Sequence, residues 1–85
     1  MTAEKAENKS LLRISEVAKF AGVTRQTVQY YLMLGLIRET SRSVGGHRLF
    51  NSEVVRRIRL IHKLNTSGYT LSEIRETFLN RLANR

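Results

Sequence analysis

Apolar residues fall into several stretches of helical period along this chain. The first is Ile14, Val17, Ala18 and Ala21, spaced i, i+3, i+4, i+7, which puts one apolar stripe on a two-turn helix. Ser15 or a neighbour is expected to cap its start, and Gly22 to end it as a left-handed residue. A second helix, over about 24–34, opens on Thr24 as N-cap and stops at Gly35. Val28, Tyr31 and Leu32 mark one side of it, and Arg25, Gln26, Gln29 and Tyr30 project from the other. Two short helices about a tight glycine turn make a helix-turn-helix unit.

The next stretch loses the helical period. Leu36, Ile37 and Arg38 are expected to form a brief strand answered by Arg48, Leu49 and Phe50, with Gly45 and Gly46 as the turn signal. The loop between them is rich in Ser, Gly and Arg, which suits a finger reaching toward phosphates. A longer helix then starts near Asn51 or Ser52 and runs to about Thr66, with Glu53 complementing the dipole of its first turn. Its apolar residues Val54, Val55, Ile58, Leu60, Ile61 and Leu64 cover more than half the circumference, so two neighbouring elements are needed to bury them. Arg56, Arg59 and Lys63 share what is left. After Gly68, the run Thr70-Leu71-Ser72-Glu73 reads as a capping box, with Tyr69 and Ile74 placed for a hydrophobic staple. Leu71, Ile74 and Phe78 supply the core stripe of a last helix that frays near Ala83. The fold class is therefore mainly α, four helices and one short two-stranded hairpin.

Composition narrows the function. The chain has 85 residues, enough for one domain, expected over 11–85 behind a polar, disordered arm at 1–10. It has no Cys, which removes disulfides and thiol chemistry and fits a reducing cytoplasm. No apolar run approaches the roughly 20 residues of a membrane span, and the amino terminus is not a signal peptide. Asp is absent, the two histidines are far apart, and Gly45-Gly46 lacks the strand-to-helix context of a nucleotide loop. No nucleophile–base pair or metal constellation can be assembled, so neither catalysis nor a cofactor is expected.

The formal net charge is +8, and the segment from Leu11 to Lys63 holds ten Lys and Arg against three Glu. A field of that size on so small a body attracts polyanions, nucleic acid first. An anionic membrane would be met by cations concentrated on one amphipathic helix, and here they are spread over several elements.

From Ile14 to Leu79 the chain resembles the amino-terminal winged-helix domain of the MerR family of bacterial transcription regulators. The resemblance rests on ISEVAKFAGV, TRQTVQYYLMLGLI, GGHRLFNSEVVRRIRLI and GYTLSEIRETFL, taken in order. Its specific parts are the tyrosine pair Tyr30-Tyr31, the Gly35-Leu36-Ile37 exit, the wing run from Gly46 to Phe50 and the run from Gly68 to Leu71. Gln29, Leu32 and His47 stand where the family often has Arg, Glu and Tyr. The resemblance implies binding of double-stranded DNA near promoters by a winged helix-turn-helix. The recognition helix would lie in the major groove and the wing, over 38–48, along the phosphate backbone, with RNA polymerase as a further partner.

In such a groove Arg25 can take guanine, and Gln26 or Gln29 can pair with adenine. Thr24 and Thr27 open the same helix and join the expected contact set. Tyr30 either hydrogen-bonds a phosphate or covers the surface, whereas Tyr31 continues the Val28 stripe into the core. Arg38, Arg42, His47 and Arg48 are the wing candidates, the arginines through forked contacts to phosphate. Arg56, Arg59 and Lys63 are secondary, and His62 sits on a helix flank with no chemical role. An architectural, excisionase-like DNA-bending protein is the alternative. An RNA reader would need more exposed aromatics than Tyr30 and Phe20. The family's domain is normally followed by a long pairing helix and an effector region, and neither is expected after Arg85. A monomer is therefore expected in solution, with Leu60 and Leu64 as a partly exposed patch and dimers or arrays forming on DNA. The expected location is the cytoplasm, on the nucleoid.

Overall fold

The computed structural model describes residues 11–83, with side chains through Phe78; the expected arm at 1–10 lies outside the described residues. Four helices and a hairpin follow in the order α1 (Ile14–Ala21), α2 (Arg25–Met33), β1 (Ser41–Arg42), β2 (Arg48–Leu49), α3 (Ser52–Thr66) and α4 (Leu71–Ala83).

The start of α1 differs from expectation. Arg13, not Ser15, is the extended residue before the helix, and its backbone N–H donates to the Glu16 carboxylate at 2.8 Å. Arg13 has no acceptor in its side chain, so only the glutamate half of a capping box forms. At the other end Gly22 is left-handed (φ 75°), its N–H reaching Lys19 O while Val23 N–H reaches Ala18 O. This paired closure satisfies two orphan carbonyls and turns Val23 back onto the core. Thr24 then caps α2, its hydroxyl accepting from Thr27 N–H at 3.0 Å.

The same closure ends α2. Gly35 is left-handed (φ 76°), Gly35 N–H bonds Leu32 O, and Leu36 N–H bonds Tyr31 O. Leu36 and Tyr31, joined by that bond, are both buried. The expected strand at Leu36–Arg38 does not form. Pairing in the hairpin is Ser41 with Leu49 and Arg42 with Arg48, which would set Arg38 opposite Ser52, the first residue of α3. Alternation would also send one of Leu36 and Ile37 to solvent, and both are buried. The two residues form a core strap instead, and the wing starts later. Phe50 has a different partner: it exchanges both backbone hydrogen bonds with Leu12, at 2.8 and 2.9 Å, tying the base of the wing to the segment before α1.

Asn51 caps α3 by accepting from Val54 N–H. Val55, Ile58 and Ile61 are its buried residues, while Val54 and Leu64 are half-buried against the same core. The wide apolar stripe is served by two neighbours, α1 and α4. Of the expected exposed patch, Leu60 is 48 % exposed, but Leu64 packs on the core. α4 opens with both bonds of the capping box: Thr70 N–H donates to Glu73 Oε1, and Glu73 N–H to the Thr70 hydroxyl. Ile74 is buried, and Leu71 and Phe78 pack beside it. Tyr69 stays 55 % exposed, so the anticipated staple buries little of its ring.

Candidate nucleic-acid interface

The α2 helix is held from one side only. Val28 and Tyr31 point into the core, and burial pushes the Tyr31 phenol above its ordinary pKa. Arg25, Gln26, Gln29 and Tyr30 are all exposed, as two i, i+4 pairs on the opposite face. The helix carries no acidic residue, so nothing on it opposes the partial positive charge of its N-terminus. Thr24 and Thr27 are joined hydroxyl to hydroxyl at 2.9 Å. One such bond uses one hydroxyl proton and leaves the other free to donate.

Two arginines that the sequence analysis does not single out hold the far end of α2. Arg75, from α4, donates through Nε to Leu34 O at 2.7 Å, and Arg57, from α3, donates through Nε to Leu36 O at 2.8 Å. The Arg57 guanidinium also lies 4.4 Å from the centroid of the Phe78 ring. Cations at a helix C-terminus complement its dipole and satisfy its last carbonyls. Nothing in the local sequence distinguishes Arg57 or Arg75 from Arg56 or Arg59, which stand exposed on α3 with Lys63.

The wing is short. Ser43 N–H bonds His47 O, Gly46 N–H bonds Ser43 O, and Gly46 takes the left-handed conformation the turn requires. His47 is exposed beside Gly45, with its backbone N–H on the Ser43 hydroxyl. Arg42 and Arg48 both turn to one carboxylate: Arg42 Nε lies 3.1 Å from Glu39 Oε2, and Arg48 Nε 3.4 Å from Glu39 Oε1. Glu39's own backbone N–H, then the Arg42 guanidinium, hold its carboxyl below the ordinary carboxylate range. The sequence reading missed Glu39, although it is the only acid between Glu16 and Glu53 and stands three residues before Arg42. A shallow cleft separates α2 from the wing. Gln29, Met33, Arg38, Glu39 and Arg48 line it with Leu32 and Ile37 at its floor, so candidates from both elements share one surface. Arg56, Arg59, His62 and Lys63 lie outside this cleft.

A helix-turn-helix with an arginine wing beside its second helix defines a winged-helix protein. Residues 12–80 match the model of the MerR HTH family regulatory proteins. The mercuric resistance operon regulatory protein of Bacillus cereus is 40 % identical over 62 residues, covering 73 % of this chain and 47 % of that protein. PbrR691 from Ralstonia metallidurans CH34, solved in complex with lead(II), superposes with a TM-score of 0.76 at 34 % identity, covering 87 % of this chain and 58 % of that one. HiNmlR, a MerR family regulator lacking the sensor domain, solved bound to promoter DNA, shares the fold with a TM-score of 0.80 at 20 % identity. That likeness covers 88 % of this chain and 57 % of HiNmlR. This chain belongs to the MerR family, a family of transcription regulators and not of enzymes. It spans between about a quarter and about half the length of the curated relatives it matches.

Proposed function

We propose that this chain binds double-stranded promoter DNA as a MerR-family regulator, with α2 in the major groove and the β1–β2 wing on the phosphate backbone. The observation that carries the proposal is the exposed, acid-free face of α2, whose Gln29 shares one cleft with Arg38 and Arg48. Arg25, Gln26 and Gln29 read base edges, because long side chains with bidentate polar ends are what the groove's donor–acceptor pattern selects. Thr24 and Thr27, with the helix N-terminus behind them, bind a phosphate at the groove's edge. Tyr30, Arg38, Arg42, His47 and Arg48 bind backbone oxygens on either side.

The net charge of +8 supports a large electrostatic share of the affinity. The chain acts in the cytoplasm, on nucleoid DNA, where RNA polymerase bound at the same promoter is a partner. Among the described residues no helix is long and apolar enough to cross a membrane. One copy offers one recognition helix to one groove segment, so we propose a monomer in solution that gains specificity by pairing on adjacent half-sites.

Selection of bound duplexes from a random pool, followed by affinities across a salt series, tests this reading. A defined motif bound at least a thousandfold tighter than random duplex would support it. Equal affinity for every duplex, with strong bending, would instead place the chain with architectural excisionase-like proteins.

A further inference from the structure

The β1–β2 hairpin sets Arg42 directly opposite Arg48. Opposed residues of an antiparallel pair project to the same face, where two like charges repel. Left alone, the two guanidiniums would splay apart and sample many rotamers. Glu39 lies before the hairpin and uses one carboxylate oxygen for each arginine, in both cases through Nε. Among the described residues, neither arginine donates a hydrogen bond from its terminal nitrogens. Both arginine side chains are about half exposed, and each guanidinium keeps four terminal donor hydrogens beyond the Nε–H that Glu39 uses.

We propose that Glu39 is a positioning residue for DNA binding: it holds Arg42 and Arg48 side by side through Nε and leaves their terminal nitrogens facing phosphate. The proposal rests on the reading of the wing as a phosphate-binding element. It has a counter-intuitive sign. Glu39 is a negative charge beside a polyanion, and removing it should tighten binding if charge alone mattered. At physiological ionic strength that repulsion is screened over about 8 Å, whereas the rotamer freedom of two long side chains must be lost on every binding event. Ordering them beforehand outweighs the repulsion. The alternative is that the carboxylate imitates a phosphate and competes with DNA for the same arginines.

The test uses the full 85-residue chain and a duplex taken from the random-pool selection. Glu39→Ala is expected to weaken binding by about threefold to tenfold at physiological salt, the scale of two exposed ion pairs. Glu39→Gln, with one acceptor oxygen in place of two, is expected to fall between Glu39→Ala and wild type. In an Arg42→Ala/Arg48→Ala background, Glu39→Ala is expected to cause no weakening. Tighter binding by Glu39→Ala in the otherwise wild-type chain would overturn the proposal in favour of competition. Equal weakening with and without the arginines would overturn it as well. Arginine Nε–H signals in NMR, measured without DNA, separate this result from the DNA reading. Slow exchange of the Arg42 and Arg48 protons that Glu39→Ala abolishes shows the holding, and no change on mutation refutes it. A wild-type chain that holds both arginines and yet binds no duplex would fail the reading of the wing as a phosphate element.

Discussion

Helix α2 and the wing lie on one surface but are held in opposite ways. α2 is anchored by burial: Val28 and Tyr31 sit in the core, Leu36 is tucked in just past its end, and Arg57 and Arg75 grip its exit from two other helices. The wing has two strands of two residues each, exposed over most of their length. Its bracing is a few backbone bonds, the Leu12–Phe50 bridge at its base and the charge of Glu39. Burial fixes an element to within side-chain packing tolerance. Exposed ion pairs hold one loosely, because each is worth little against solvent and side-chain entropy. Base edges demand the first kind of support and phosphates tolerate the second. On the proposed reading, the rigid part meets base edges and the compliant part meets phosphates.

The largest blow to this contrast is expected from Leu36→Ala. It removes a fully buried side chain at the end of α2 and should cost about 2–5 kcal/mol, read from denaturant midpoints at constant slope. A cost near zero would mean that the helix is not anchored there.

Next in size is base reading. Arg25→Ala or Gln29→Ala should lose roughly 1–3 kcal/mol on the preferred site and much less on random duplex. Parallel losses on both would reassign these residues to phosphate.

Arg75→Ala should destabilise the fold by about 1 kcal/mol, the scale of one hydrogen bond to a helix-end carbonyl. It should also narrow the gap between specific and random binding, since α2 would lose part of its hold. Unchanged discrimination would place the rigidity of α2 in the core alone.

The smallest effects belong to the wing. Arg42→Ala and Arg48→Ala should weaken binding to all duplexes nearly alike, and each should reduce the salt slope by about one. Folding stability should move by no more than about 0.5 kcal/mol in either variant. Because the Glu39 pKa is lowered, the ion pairs are complete above the ordinary carboxylate range. They are lost only as pH falls through that lowered value, so binding should not vary with pH near neutrality through titration of this group.

Helix caps whose partner lies three positions away were legible without a structure for α2, α3 and α4, though not for α1. Thr24 with Thr27, Asn51 with Val54 and Thr70 with Glu73 each satisfy orphan amides of their own helix. Such bonds depend only on chain geometry at a helix start. The glycine exits at Gly22 and Gly35 belong to the same group, as do the polar face of α2 and the need of α3 for two neighbours. The Leu36–Arg38 strand was misplaced because two adjacent apolar residues fit either a strand or a buried strap. Only the register counted outward from the 43–46 turn separates the two.

By itself, then, the sequence determined the four helices, the mainly helical class, the basic charge and the exposed polar face of α2. All of these follow from periodicity and from bonds spanning a few residues. Tertiary structure alone decided which cations are anchors and which are free. Arg57 meets Leu36 across 21 positions, Arg75 meets Leu34 across 41, and Glu39 reaches Arg48 across 9. A cation on a helix surface has the same local pattern whether it faces water or a neighbouring carbonyl. The difference arises only when packing brings the distant carbonyl within reach of its Nε–H.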